Sequence, residues 1–158
     1  MDFARPKEPI REKASIDALL HHSLDLIQEH AGSKGIQVIE DIEEDIPQMA
    51  LDRDQMTQVL LNIALNGLDA MEEGGMLWLR CFRSKQGKLV IIEIEDTGHG
   101  IPEAELPMIF DPFYSTRKKG TGLGLAIAHR IIENHDGVLS VSTKRGSGTV
   151  FRIELPIS

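Results

Sequence analysis

The sequence is short of several features, and each shortage excludes a class of protein. A single cysteine, Cys81, in 158 residues rules out an internal disulfide and a cysteine-rich zinc site. No apolar run approaches the roughly 20 residues needed to cross a bilayer, and no signal peptide is visible at the N-terminus. We therefore expect a soluble, cytoplasmic chain, with any membrane anchor of a longer protein lying outside it.

Positive charge is scarce as well. The net charge of −8 argues against a nucleic-acid partner, because binding to a phosphate backbone depends on clustered Lys and Arg. The one run of three cations is Arg117, Lys118 and Lys119. A polyanionic ligand needs local positive charge, and this run is where the sequence supplies it.

The composition that remains is typical of one ordinary globular domain, with 41% hydrophobic and 27% charged residues. Apolar periodicity predicts helices over residues 15–32, 52–74 and 122–135, with Ser15 and Asp52 as N-caps. Strands are predicted over residues 36–42, 76–83, 89–95, 138–143 and 149–155. The strand 89–95 is expected in the middle of the sheet, because its β-branched residues are nearly continuous. The expected fold is a two-layer α/β sandwich, with three long helices on one face of a mixed sheet of about five strands. Residues 1–14, which contain Pro6 and Pro9, are expected to be a linker, and 15–158 the domain.

Residues 96–121 form a long stretch with little periodicity, apart from a short helical turn near 103–109, and such a loop in a compact domain is usually functional. Asp96 follows a strand directly, and Gly98 and Gly100 allow positive φ and close approach of a ligand. A carboxylate there can accept a hydrogen bond from an exocyclic amine such as that of adenine, which favours adenine over guanine. The alternative is an ordinary Asp-Gly turn.

Two asparagines interrupt the apolar pattern of the second predicted helix. Asn62 and Asn66 are one helical turn apart, on the same face as Ala70. A buried amide needs a hydrogen-bonding partner, and a hydrated Mg²⁺ that carries nucleotide phosphates would be a suitable one. The alternative is that both amides cap loop backbone.

A second glycine cluster, Gly-Thr-Gly-Leu-Gly-Leu from Gly120 to Leu125, precedes the third predicted helix. Helix N-termini carry unpaired amide donors and partial positive charge, so phosphate binds there readily. A dinucleotide-binding glycine loop would follow the first strand of a βαβ unit, and this cluster follows an irregular loop late in the chain. A phosphate-loop motif is excluded because no Gly-Lys-Ser/Thr is present.

Taken in order, these segments resemble the N, G1, F and G2 boxes of the catalytic, ATP-binding domain of bacterial sensor histidine kinases, which has the GHKL or Bergerat fold. The matching stretches are Gln-Val-Leu-Leu-Asn-Ile-Ala-Leu-Asn ending at Asn66, Asp-Thr-Gly-His-Gly-Ile-Pro from Asp96, Phe-Asp-Pro-Phe-Tyr-Ser-Thr from Phe110, and the cluster from Gly120. Gly-Ser-Gly-Thr-Val-Phe from Gly146 is similar to the final glycine-threonine box. The resemblance spans about residues 15–156 and is closest to nitrogen-regulation-type kinases.

The resemblance implies a function and roles for individual residues. The domain would bind Mg²⁺ and ATP or ADP and transfer the γ-phosphate to a histidine on a separate dimerisation domain of the same protein, with a response regulator downstream. Asn62 and Asn66 would be the catalytic pair, Asn66 the Mg²⁺ ligand, Asp96 the adenine contact with Thr149 helping it, and 110–121 a mobile lid. The full nucleotide-binding set is Asn62, Asn66, Ala70, Asp96, Gly98, Gly100, Ile101, Thr116, Arg117, Lys118, Gly120, Thr121, Gly122, Leu123, Gly124, Leu125 and Thr149.

Three positions depart from the family pattern or vary within it. Gly67 stands where the family usually has Ala, which costs the helix about 1 kcal/mol. Asp69 stands where many members carry a Lys aimed at phosphate, so Arg117 or Lys118 would supply that charge. His99 is expected to be a solvent-exposed spectator.

The same residues bear on competing functions. Related gyrase-type and chaperone ATPases place a general-base Glu where this chain has Asn62, and an amide cannot take a proton from water near neutral pH, so a dedicated ATPase is not expected. None of the six histidines has the sequence context of a phosphoacceptor, so we expect a monomeric catalytic fragment. Two alternatives stay open, an anti-sigma-factor-type serine kinase and a nucleotide-binding docking or sensing module without catalysis.

Overall fold

The computed structural model describes residues 7–72, 74–112, 114, 123–144 and 148–157. The elements in chain order are β1 (Glu12–Ala14), α1 (Ile16–Gly32), β2 (Ile36–Ile42), β3 (Met49–Leu51), α2 (Arg53–Asp69), β4 (Gly75–Arg83), β5 (Leu89–Asp96), a 3₁₀ helix (Glu103–Met108), α3 (Gly124–Asn134), β6 (Val138–Lys144) and β7 (Gly148–Pro156). No helix within these ranges combines the length and apolar character that crossing a membrane requires.

The main sheet has five strands in the order β2-β4-β5-β7-β6, with β2 parallel to β4 and the other neighbours antiparallel. Alternate residues of β4, β5 and β7 point into one core with the apolar faces of the three helices. This arrangement confirms the predicted mixed α/β sandwich. The near-continuous apolar strand β5 lies in the middle of the sheet, as its β-branched composition predicted.

Side-chain caps begin the first two helices where the sequence predicted them. Ser15 Oγ accepts a hydrogen bond from the Ala18 amide at 3.2 Å, and Asp52 Oδ1 accepts one from the Gln55 amide at 3.1 Å. The predicted end of α2 at residue 74 is wrong, because the helix stops at Asp69 and Ala70 is its C-cap. The chain then turns inward and buries Met71, which is 3% exposed.

A short two-stranded sheet was not predicted. β1 pairs antiparallel with β3, and Ala14 and Leu51 of this pair are 3% and 2% exposed. Strands of three residues are too short for their alternation to be recognised in the sequence. Part of the segment expected to be a linker is therefore packed against the domain.

The arm that precedes α1 is also bonded to the ends of two helices. The Ile10 amide donates to Asp52 Oδ2 at 2.9 Å, at the start of α2. The Arg11 guanidinium donates to the Asn134 carbonyl at 2.6 Å, at the end of α3. The buried His135, which is 4% exposed, links the end of α3 to the start of α2. Its Nε2 accepts a hydrogen bond from the Asp52 amide at 3.0 Å.

Candidate functional site

A cavity of about 280 Å³ lies where α2, the end of β5, the 3₁₀ helix and the start of α3 meet. Its wall combines apolar side chains with a few polar groups, as is usual for a small-molecule site. The lining residues are Asn66, Ala70, Asp96, His99, Gly100, Ile101, Pro102, Glu105, Ile109, Tyr114, Gly124, Leu125 and Thr149.

Asp96 is the buried carboxylate of this cavity. It is 3% exposed, and its Oδ1 accepts a hydrogen bond from the Gly98 amide at 2.8 Å. Burial raises the pKa of Asp96 to about 6, against the opposing effects of the Gly98 amide, His99 and the Thr149 amide. Burial therefore disfavours the ionised form of Asp96, and the carboxylate can still accept a further hydrogen bond from a ligand.

The glycines around Asp96 are required for two different reasons. Gly100 has φ of +78°, the left-handed backbone conformation that glycine adopts readily. Gly98 has no positive φ, so the expectation of backbone freedom is wrong at that position. A Cβ on Gly98 would lie 2.7 Å from Ala70 Cβ and 2.9 Å from Asp96 Oδ1, so lack of space requires glycine there.

The unusual Gly67 is explained by the same carboxylate. A Cβ at this position would lie 3.1 Å from Asp96 Oδ2 and 3.3 Å from Leu77 Cδ1. Helix α2 therefore approaches the end of β5 more closely than an alanine would allow without a shift of a few tenths of an ångström. Glycine at position 67 lowers the helix propensity of α2, and its missing side chain permits this close approach.

Asn62 and Asn66 have different environments. Asn62 Nδ2 donates to the Gly124 carbonyl at 3.0 Å and so ties α2 to the start of α3. The Asn62 amide thus bonds to backbone, and its predicted catalytic role stays a prediction. Asn66 lines the cavity, and among the described residues its side chain makes no hydrogen bond. Its amide oxygen is therefore available to a ligand in the cavity.

The start of α3 faces the cavity through Gly124 and Leu125. No side chain caps this helix within the described residues, and the positive end of its dipole lies at the edge of the cavity. No Lys or Arg is among the described lining residues. Among the described lining residues, the start of α3 is therefore the candidate contact for an anion.

Comparison with known proteins decides what kind of domain this is. The sequence profile of the family described as "Histidine kinase-, DNA gyrase B-, and HSP90-like ATPase" matches residues 51–158. The chain belongs to this family. Sensor histidine kinase ZraS of Escherichia coli (strain K12) is 34% identical over 158 residues, which are 100% of this chain and 34% of that protein. The chain therefore spans about one third of the length of this curated relative.

Solved structures of histidine kinases share the fold. Full-length ShkA in complex with AMPPNP has a TM-score of 0.86 at 28% identity, over 98% of this chain and 32% of that one. The catalytic domain of histidine kinase ThkA has a TM-score of 0.83 at 28% identity, over 93% and 95% of the two chains. ThkA in complex with response regulator protein TrrA has a TM-score of 0.80 at 26% identity, over 94% and 42%. The chain thus has the predicted fold, which is that of histidine kinase catalytic domains.

Of the eleven described residues that were predicted for nucleotide binding, eight line the cavity. Those that line it are Asn66, Ala70, Asp96, Gly100, Ile101, Gly124, Leu125 and Thr149. Three others lie outside its lining, namely Gly98 behind Asp96, Asn62 against Gly124, and Leu123 at the N-cap of α3. The remaining six lie outside the described residues, namely Thr116, Arg117, Lys118, Gly120, Thr121 and Gly122.

Several cavity residues of the kinase domain were not predicted. His99 is exposed, as expected, but it also lines the cavity, so it is not remote from the site. Pro102, Glu105, Ile109 and Tyr114 complete the wall. The long irregular stretch indicated a functional loop, but it carried no periodicity to show which of its side chains face inward.

Proposed function

We propose that this domain binds Mg²⁺–ATP and donates the γ-phosphate to a histidine on a separate dimerisation domain of the same full-length protein. The observation that carries the proposal is the buried Asp96 carboxylate, which shares one cavity with the Asn66 amide and the uncapped start of α3. These three features suit the base, the metal ion and the phosphates of a nucleotide.

The adenine end of the site is assigned to Asp96. Its carboxylate accepts hydrogen bonds only, so it pairs with the 6-amino group of adenine and not with the carbonyl that guanine has at that position. The Gly98 amide orients the carboxylate through its 2.8 Å hydrogen bond. Thr149, which pairs with Asp96 across β5 and β7 and lines the cavity, completes this end.

The metal end is assigned to Asn66. A hard cation prefers oxygen ligands and keeps several waters, so one amide oxygen and the nucleotide phosphates suffice to hold it. The described residues contain no group of three His, Cys, Asp or Glu side chains that could hold a metal ion, which fits an ion that arrives with the nucleotide. Bound Mg²⁺ supplies charge neutralisation of the phosphates.

Transfer to histidine is favoured over transfer to water. The imidazole of the acceptor is itself the nucleophile, so the domain has only to position the nucleotide and stabilise charge at the transferred phosphate. Hydrolysis would need a general base one helical turn before Asn66, and that place is held by Asn62, whose amide is bonded to the Gly124 carbonyl. We therefore expect slow intrinsic ATP hydrolysis.

The partners of the full-length protein are part of the same proposal. The domain acts on its own dimerisation and phosphoacceptor domain, and a response regulator receives the phosphate afterwards, on the cytoplasmic side of the cell. The complex of ThkA with response regulator TrrA supports this order of partners by relationship. By itself the domain is proposed to be monomeric, with residues 1–14 as the connection to the dimerisation helices.

Calorimetric titration of ADP and of an unhydrolysable ATP analogue tests the binding step. The wild type should bind both, Asp96→Asn should weaken binding of both at least tenfold, and omission of Mg²⁺ should weaken the ATP analogue more than ADP. Asp41→Asn, which makes the same charge change at an exposed position on β2, is the matched control and should bind like the wild type.

Phosphorylation of a supplied dimerisation domain tests the second step. Radiolabel from γ-labelled ATP should appear on that domain in an acid-labile, base-stable form, as expected for phosphohistidine. Acid-stable label would indicate a serine kinase, and binding without any label on the acceptor domain would indicate a docking or sensing module.

A further inference from the structure

The cavity contains a second carboxylate that the proposed function does not use. Glu105, on the 3₁₀ helix, lines the same cavity as Asp96. In a chain of net charge −8, another carboxylate beside a polyanionic ligand weakens binding by repulsion unless the side chain has a further role. The one hydrogen-bonding partner of the Glu105 carboxylate among the described residues is Tyr114.

The contact between these two side chains is short and direct. Tyr114 Oη donates to Glu105 Oε1 at 2.5 Å, and hydrogen bonds to an ionised acceptor are among the stronger ones in proteins. Tyr114 also lines the cavity, and its ring packs against the hydrophobic core. Burial, followed by the hydrogen bond to Glu105, raises the pKa of Tyr114 to about 12.

The backbone on the N-terminal side of the tyrosine is fixed as well. The Tyr114 amide donates to the Asp111 carbonyl at 3.2 Å, closing a turn. Just before that turn, Phe110 stacks on His129 of α3, with 4.7 Å between ring centroids and an interplanar angle of 18°. The ring of Tyr114 is thus held at the backbone by the turn and at the hydroxyl by Glu105.

We propose that Glu105 is a positioning residue, which orders the Tyr114 ring as part of the nucleotide-cavity wall before nucleotide binds. The inference rests on the proposed nucleotide function. Ordering one side chain during binding opposes affinity by a factor of about three to ten, and a ring that is already ordered avoids this loss. Glu105 therefore raises nucleotide affinity despite its unfavourable charge.

A set of variants separates the hydrogen bond from the charge. Glu105→Ala should raise the Kd for ADP about threefold to tenfold, because it frees the ring. Glu105→Gln keeps an acceptor oxygen and loses the charge, so it should bind ADP as tightly as the wild type or more tightly. Glu103→Ala, an exposed acidic residue of the same 3₁₀ helix that does not line the cavity, is the matched control and should not change the Kd.

A double-mutant cycle shows whether Glu105 acts through the tyrosine. Tyr114→Phe keeps the ring and removes the hydroxyl, so it should weaken ADP binding about as much as Glu105→Ala. Adding Glu105→Ala to Tyr114→Phe should then change the Kd by less than twofold. Tyr114 is the only tyrosine of the chain, and Trp78 is common to all the variants, so the near-ultraviolet circular-dichroism difference between Glu105→Ala and the wild type reports the order of Tyr114. The tyrosine signal should fall in Glu105→Ala without nucleotide.

The outcomes distinguish this inference from the function on which it rests. Absence of ADP binding by the wild type would refute both. Binding by the wild type with an equal Kd in Glu105→Ala would refute the role of Glu105 alone. Fully additive effects in the cycle, or a Gln variant as weak as the Ala variant, would likewise show that Glu105 does not work through its bond to Tyr114.

Discussion

Replacing Asp96 with asparagine should make the free domain more stable while it weakens nucleotide binding. Burial raises the pKa of this carboxyl from an ordinary 3.8 to about 6. At 1.36 kcal/mol per pH unit, that difference means that the ionised carboxylate costs the folded state about 3 kcal/mol at neutral pH. Asparagine carries no charge, but its amide nitrogen cannot accept from the Gly98 or Thr149 amides. We therefore expect a net gain of about 1–3 kcal/mol at pH 8.

The pH dependence of this gain is the sharper part of the prediction. The folded state binds the Asp96 proton more tightly than the unfolded state, so the stability this group contributes is fully present below about pH 3.8 and is lost as pH rises through about 6. The difference in unfolding free energy between Asp96→Asn and the wild type should thus grow by about 2 kcal/mol between pH 4.5 and pH 8. The loss of amide pairing is independent of pH and does not affect this change.

Urea unfolding at the two pH values, followed by far-ultraviolet circular dichroism, measures the difference. ADP titration of the same samples should show the more stable variant binding more weakly. Asp41→Asn, at an exposed position, controls for the general effect of removing one negative charge from an acidic protein. An asparagine variant that is less stable than the wild type at pH 8, or a difference that does not change with pH, would contradict the reasoning from burial.

Three further predictions follow from packing and hydrogen bonding at the site. Gly98→Ala should lower the unfolding free energy by about 1–3 kcal/mol and abolish ADP binding, since its Cβ has no space, whereas Gly32→Ala, with no atom within 4 Å of its Cβ, should leave binding unchanged in the same calorimetric assay. Asn62→Ala should lower thermal stability by about 1 kcal/mol through loss of the bond to the Gly124 carbonyl, and ATP hydrolysis should stay slow. Asn66→Ala should leave the melting temperature close to that of the wild type and remove the difference in ATP-analogue affinity with and without Mg²⁺, measured by titration.

The parts of the fold that sequence predicts well are those encoded by neighbours in the chain. Ser15 and Asp52 cap their helices because a cap is a contact across three residues, and β5 is central because its composition suits burial on both faces. The short strands β1 and β3 depend on pairing between segments about 37 residues apart, for which three residues give no periodic signal. The shortness of these strands therefore limited the prediction.

Some features of the candidate site could likewise be predicted from the local sequence, and others could not. Asp96, its glycines and the asparagines could be found because each departs from its local pattern as a residue type. The reason for Gly98 could not, because it depends on how Ala70 approaches from α2. Nor could the bond between Glu105 and Tyr114, since acidic residues and tyrosines are common in loops and only the folded chain brings these two together. The sequence predicted which residue types would carry the chemistry of the site, and tertiary packing determined the shape of the cavity.

The bonding of the N-terminal arm has a mechanical consequence. Helix α2 extends from the arm contact at Asp52 to Asn66 in the cavity, about 21 Å at 1.5 Å per residue. Helix α3 extends back from Gly124 in the cavity to the Arg11 contact at Asn134, about 15 Å. Each of the two helices therefore connects the arm, at one end, with the cavity, at the other. A force that moves the arm must either break these hydrogen bonds or be transmitted along both helices, so that strain would reach the end of the cavity lined by Asn66 and Gly124 from two sides at once.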